Sequence, residues 1–295
     1  MSSLSRYTIP LFVALTLAVT SAYAQRLGEI SKHGPSMAEH EGQVFIAWSG
    51  ADNNINLLQS TDGVDWGAKV RLKEESKHSP AIAAMGKYLY MAWTGTDGHI
   101  NVMRSNDGVE WRTKIRLEDK SDVEPAMASM GDYLYLVWRG QGNKRLNILR
   151  SEDGIDWGDK TRLEDTSQDR PTIAAFNDHL YLAWTGNGNG YLNLMRSRNG
   201  IDWDSKVRLT ETSDDGPALC GFGNKLFLSW TGRGSRNLNV MRSKDGVDWG
   251  AKIRLDDTSS KAPALATVSD HLILSWIGKK DQMINVAQSE DGIDF

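Results

Sequence analysis

The sequence predicts an all-β fold, a six-bladed β-propeller of four-stranded antiparallel blades closed by the N-terminal strand. Three observations carry that expectation. From Arg26 onward a unit of 45 or 46 residues recurs six times, and a period of that size filled with strands builds a ring of similar sheets. Every copy ends in one signature, at residues 60–66, 105–111, 151–157, 197–203, 243–249 and 289–295, reading Ser-x-Asp-Gly-x-Asp-Trp with small variations. Between the signatures lie short β-rich runs punctuated by Gly, Asn and Asp, which is the pattern of hairpin meanders.

The elements follow in order. Residues 1–24 read as a secretory signal peptide: Arg6 gives a positive start, residues 9–19 an apolar core, and Ala22-Tyr23-Ala24 a small-x-small cleavage pattern. The apolar run is too short for a membrane anchor, and no later segment is apolar enough to span. A single domain is expected over residues 25–295, secreted or periplasmic. Its start, Arg26-Leu27-Gly-Glu-Ile-Ser31, matches the fourth-strand ending Arg71-Leu72-Lys-Glu-Glu-Ser76. Residues 25–27 are therefore expected to supply the missing fourth strand of the last blade, latching the ring and removing an open edge.

Within each unit the anchors keep their places. A proline opens it (Pro35, Pro80, Pro125, Pro171, Pro217, Pro263), and a tryptophan follows 13 residues later (Trp48, Trp93, Trp138, Trp184, Trp230, Trp276). Eight or nine residues on stands an asparagine: Asn56, Asn101, Asn147, Asn193, Asn239, Asn285. In the third copy the four strands are expected near residues 125–129, 133–138, 146–150 and 160–163. The middle strands are apolar at nearly every position, as strands covered on both faces are. The Asp-Gly step joins the third strand to the fourth and reads as a type I′ turn. In the fourth copy Asn199 replaces the aspartate, a swap a turn tolerates and an acid catalyst or metal ligand does not.

Charge and cysteine content narrow the partners. The net charge is −4, and −5 once Arg6 leaves with the leader, so there is no basic stripe of a nucleic-acid binder. The only cysteine, Cys220, lies in an apolar run and reads as a small buried hydrophobe.

The repeated Ser-x-Asp-Gly-x-x-Trp resembles the Asp-box, or BNR repeat, of bacterial sialidases and related propellers, over residues 26–295. The family pattern has one further residue between Asp and Gly, which all six copies lack. The repeat is also similar to propeller lectins with tandem Trp-containing blades. The sialidase resemblance implies that the signatures lie on the face opposite the functional one. It further implies an active site of three arginines, a tyrosine nucleophile paired with a glutamate, and an aspartic acid. The family's Arg-Ile-Pro motif is missing; Tyr7-Thr-Ile-Pro10, inside the leader, is the nearest match.

Two sets of residues are candidates for function. Residues that break the repeat in the loops before the prolines and between strands two and three include Arg139, Arg170, Arg233, Arg236, Glu124, Asp169 and Tyr191, with Lys144, Arg145, Lys279 and Lys280 nearby. They either form a catalytic set or a solvated loop face of mixed charge. His33, His78 and His99 lie in the same loops without a repeated spacing, so they read as ordinary surface histidines and no metal or cofactor is expected. The second set is the repeated Trp and Asn. They are either up to six shallow sugar sites, the indole stacking on a sugar ring and the amide bonding its hydroxyls, or blade-to-blade packing.

The expected function is a secreted, non-catalytic, lectin-like propeller binding glycans or glycoconjugates. The alternatives are a divergent sialidase or other glycoside hydrolase, and a protein-interaction platform.

Overall fold

The computed structural model of the protein describes residues 24–295. The signal peptide expected at residues 1–24 lies, but for Ala24, outside them. Six four-stranded antiparallel sheets stand around a central axis. In the first blade the chain runs outward through β2 (Ser36–His40), β3 (Gln43–Ser49), β4 (Asn54–Ser60) and β5 (Val70–Glu75). The four later blades that are built from consecutive strands repeat this order, with inner strands β6 (Ala81–Met85), β10 (Ala126–Met130), β14 (Thr172–Phe176) and β18 (Ala218–Phe222). The sixth begins with β22 (Ala264–Val268) and ends when β1 (Gln25–Ile30) pairs with β24 (Met283–Ser289). That latch is six residues long, where the sequence pattern suggested three, because pairing resumes past an irregularity, at Ile30 opposite Met283.

Register explains the anchors. In every blade the tryptophan of the second strand sits opposite the asparagine of the third, as in Trp48–Asn56, Trp138–Asn147 and Trp276–Asn285. Inner and middle strands bury both faces against adjacent blades. Val44, Ile46 and Trp48, for example, pack with Ala264, Ile273 and Val286 of the last blade. Outer strands alternate half-buried and exposed residues, since only one face meets a neighbour. Lysines just before the outer strands reach acids of the preceding blade, as in Lys69–Glu29 and Lys252–Glu211 at 2.9 and 2.7 Å. Cys220 packs where the fifth and sixth blades meet, and burial pushes its thiol up to about 12, so it is not a nucleophile.

The type I′ geometry expected for the Asp-Gly steps does not form. In the third copy only Gly154 is left-handed, at φ 72°, and Asp153 is not. The aspartate instead works as an acceptor: Asp153 Oδ1 takes the N–H groups of Ile155 and Asp156 at 2.8 and 2.9 Å, and Ser151 Oγ takes that of Gly154 at 2.8 Å. Asn199 Oδ1 does the same in its copy, at 2.9 Å to both amides. An amide oxygen suffices, which is why the swap is silent. The glycine is required for a second reason, since a β-carbon on Gly154 would overlap the ring of Tyr90 in the previous blade. The Tyr90 hydroxyl donates to the Asp153 carbonyl at 3.0 Å. A side chain of the preceding blade lies under every such glycine, and where it is Tyr90, Tyr135 or Tyr181 its hydroxyl also ties the turn to that blade.

Candidate functional site at the axial mouth

The loops that enter the inner strands converge on the shaft, whose wall is formed by Pro35, Pro125, Pro171, Pro217 and Pro263 and the first residues of each inner strand. These loops are held from outside by repeated contacts. Ser76 Oγ donates to the Thr94 carbonyl at 2.7 Å, and Thr94 Oγ1 to the Val123 carbonyl at 2.8 Å; Ser49, Thr185 and Thr231 pin the next loop as Thr94 does, while Arg139 and Ile277 hold that position in the third and sixth blades. With the backbone fixed, the two residues before each proline form two rings around the mouth. The outer ring is His33, His78, Val123, Asp169, Asp215 and Lys261, and the inner is Gly34, Ser79, Glu124, Arg170, Gly216 and Ala262. Neither ring repeats, although most of the contacts holding it do.

Arg170 closes the shaft. It is 8% exposed, and its guanidinium crosses from the fourth blade to donate to the Pro35 and Pro263 carbonyls at 3.1 and 2.7 Å, with a longer contact to Gly34 at 3.4 Å. The space is made by glycine: a β-carbon on Gly34 would overlap the Ala262 carbonyl, and one on Gly216 the carbonyl of Arg170 itself.

Glu124, in the preceding blade, is 6% exposed. Burial alone would raise its carboxyl. The His33 hydrogen bond and the positive charge of Arg170 outweigh burial and hold it down at about 2. His33 Nδ1 lies 3.1 Å from Glu124 Oε1, and the His33 and His78 rings meet edge-on at 5.2 Å. Burial lowers the His78 imidazole, against the negative charge of Glu124. Asp169 behaves oppositely to Glu124. Burial first, then the negative charge of Glu124, push its carboxyl up to about 6, although its Oδ1 accepts the Arg170 N–H at 2.6 Å. Burial also raises Asp215, against the nearby charge of Arg236.

The remaining arginines of this face are already matched. Arg139 holds Asp122 at 2.7 Å and also donates to the Gln168 carbonyl. Arg233 pairs with Asp214 at 3.1 Å, and Arg236 pairs with Asp215. Tyr191 stands away from the mouth, its ring under the Arg208 guanidinium at 4.3 Å. Lys144 reaches Asn187 and Arg145 reaches Glu164, both at the exposed rim. Lys279 and Lys280 are exposed on a loop of the last blade. The structure thus brings Glu124, Asp169 and Arg170 together, and leaves Arg139, Arg233 and Arg236 in separate ion pairs.

The repeated set lies elsewhere. Trp48, Trp93, Trp138, Trp184, Trp230 and Trp276 are at most 2% exposed, so their rings are packing surface and offer no plane to a sugar. Each asparagine amide is spent on the carbonyl two residues before it, as Asn56 on Asn54 at 2.8 Å and Asn193 on Tyr191 at 2.8 Å. Asn101, Asn147, Asn239 and Asn285 make the same bond. Buried polar groups need partners, and here the third-strand entry loop supplies one in all six blades.

His33 and His78 share no spacing within a single loop. Each stands two residues before its proline, 45 residues apart, so one repeat of the ring superposes them on adjacent blades. The repeat period was the signal. His99 is separate, its Nδ1 3.0 Å from the Leu117 carbonyl.

No family model matches the chain, and no curated protein matches it by sequence. Solved structures do match. A Hadza microbial sialidase superposes with TM-score 0.70 at 17% identity, covering 88% of this chain and 66% of that one. The Trypanosoma rangeli sialidase in complex with the inhibitor DANA gives TM-score 0.65 at 13% identity, over 88% of this chain and 55% of its own length. The chain shares the propeller fold of these two proteins. The Aleuria aurantia lectin in complex with Fucalpha1-6GlcNAc shares it, at TM-score 0.67 and 11% identity over 86% of this chain and 91% of the lectin. The chain spans between half and two thirds of the length of those sialidases, and at these identities the likeness is one of fold. Among the described residues no helix is long and apolar enough to cross a membrane.

Proposed function

We propose that the protein is a non-catalytic carbohydrate-binding propeller, secreted, whose ligand site is the axial mouth rather than six equivalent seams between blades. The observation that carries this is the contrast between the two residue sets. The repeated Trp and Asn are consumed by packing and loop bonds, while the unrepeated His33, His78, Asp169, Asp215 and Lys261 gather around one mouth. Partly exposed imidazoles and the Asp169 carboxyl on pinned loops suit a sugar, which presents many hydroxyls to donors and acceptors together with apolar C–H faces. The fold neighbours on both sides, sialidases and a fucose-bound lectin, are consistent with that chemistry.

A sialidase-type site asks for arginine forks free to grip a carboxylate bidentately. Here each loop-face arginine is engaged by an acid or by shaft carbonyls, and none of the six axial loops carries a tyrosine. Both facts support binding without turnover. A glycan array followed by titration calorimetry tests the reading. Binding should be weakened by Asp169→Ala and Lys261→Ala and left intact by substitutions on the opposite face. Absence of any glycan binding at millimolar concentration contradicts it.

One observation favours a second reading as a glycoside hydrolase. Asp169 and Glu124 are neighbouring carboxyl groups pushed apart, to about 6 and about 2, which is how an acid and a base are assigned in such enzymes. Turnover of aryl glycosides, abolished by Asp169→Asn, would establish it. No turnover across a broad panel removes it.

A further inference from the structure

We propose that His33, His78 and Glu124 form a binding site for a divalent transition metal of the zinc class at the axial mouth. The reading stands whether or not the mouth also binds sugar. One donor atom from each of the three residues lies within 4.8 Å of the others, and the His33–Glu124 pair is already at 3.1 Å. Zinc holds nitrogen and oxygen donors at about 2.0–2.2 Å, so the donor atoms of a tetrahedral site stand roughly 3.3 Å apart. Closing the cluster to that spacing asks only for rotation of the two imidazoles, which are partly exposed and flank the mouth.

The donor set selects the metal. Two imidazole nitrogens and one carboxylate suit zinc and its first-row neighbours, whereas calcium and magnesium favour all-oxygen shells. Three protein ligands leave a position for water or a ligand hydroxyl, and this one opens at the mouth, where His33 is 27% exposed. The scaffold is rigid in the way a metal site requires. The His78 carbonyl accepts Ser49 Oγ at 2.7 Å, and the loop of His33 is tied back by Ser31 Oγ at 2.9 Å. Glu124 is positioned by the fixed Val123–Pro125 backbone, whose Val123 carbonyl takes Thr94 and Ser121 hydroxyls.

The clustering is not a by-product of the repeat. The equivalent position holds valine, aspartate or lysine in the other four blades, so the two histidines are adjacent exceptions that meet the one glutamate of the inner ring.

The test uses untagged protein freed of metal with a chelator, titrated with zinc chloride by calorimetry and with cobalt(II) by visible absorption. The expected result is one ion per chain at micromolar affinity or better, and the intense cobalt bands of a four- or five-coordinate site. Loss of a metal's outer partner alone costs about 10–100-fold in affinity, so His33→Gln and His78→Gln should each cost about 100-fold or more. His99→Gln should change nothing. Glu124 also faces Arg170, so the histidine variants carry the test, with the melting midpoint of the metal-free protein as the control for folding. No saturable binding, or binding that survives the double histidine variant, overturns the proposal.

Discussion

Replacing Arg170 by methionine keeps much of the side-chain volume and removes the charge that closes the shaft. The structure sets the size of the effect. Contacts to the Pro35 and Pro263 carbonyls at 3.1 and 2.7 Å are lost, and hydrogen bonds from charged donors contribute about 1.5–3 kcal/mol each. Glu124, 6% exposed, also loses the nearby positive charge that helps keep it ionised. A destabilisation of about 3–5 kcal/mol is expected, since the two effects overlap. Urea unfolding at neutral pH measures it. The mechanism, rather than the size, is tested by a double-mutant cycle with Glu124→Gln. If the charges act on each other, the double variant should be less destabilised than the two single variants combined, by about 1–3 kcal/mol. A cost below about 1 kcal/mol for Arg170→Met, or strict additivity, refutes the account.

Three further outcomes follow from the same geometry. Trp184→Ala should cost about 3–5 kcal/mol and threaten the fold itself, because the ring is 1% exposed; a variant with native stability that had merely lost glycan binding would return the tryptophans to the binding surface. Asp153→Asn should be nearly silent in thermal melting, as Asn199 already shows, whereas Gly154→Ala, which forces a left-handed residue with a β-carbon into Tyr90, should cost more than about 2 kcal/mol. Asp169 supplies a pH signature. Its carboxyl rises from 3.8 to about 6 on folding, so the stability it lends is full below 3.8 and is lost as pH rises through about 6. The difference corresponds to at most about 3 kcal/mol. Asp169→Asn should therefore match the wild type in acid and exceed it above that value, by urea midpoint. A variant no more stable at high pH contradicts the burial argument.

The ring was legible because its causes are local and sixfold. Apolar runs of strand length, a proline at each inner-strand entry and a glycine in each outer turn need no partner to be read, and the match of residues 26–31 to residues 71–76 located the closing strand. The turn geometry was not, because Asp-Gly is compatible both with a two-residue hairpin and with the longer amide-capping loop. Only the position of Tyr90 under Gly154 decides between them. Burial of Trp and Asn was equally hidden, since a tryptophan that packs a seam and one that lines it have the same period. The axial cluster was readable in part. Glu124, Asp169 and Arg170 stand out as exceptions in the sequence. That Arg170 crosses the axis to blades more than 90 residues away, and that His33 and His78 become neighbours, depends on wrapping the repeat into a circle.

The central claim is that the unrepeated residues at one end of the shaft make the ligand site. A crystal of the protein soaked in the best glycan from an array tests it most directly. The account predicts one molecule per chain, over the axis, in contact with His33, Asp169 or Lys261. Density repeated at the seams between blades beside the buried tryptophans, or confined to the face of the Ser-x-Asp-Gly turns, would contradict it.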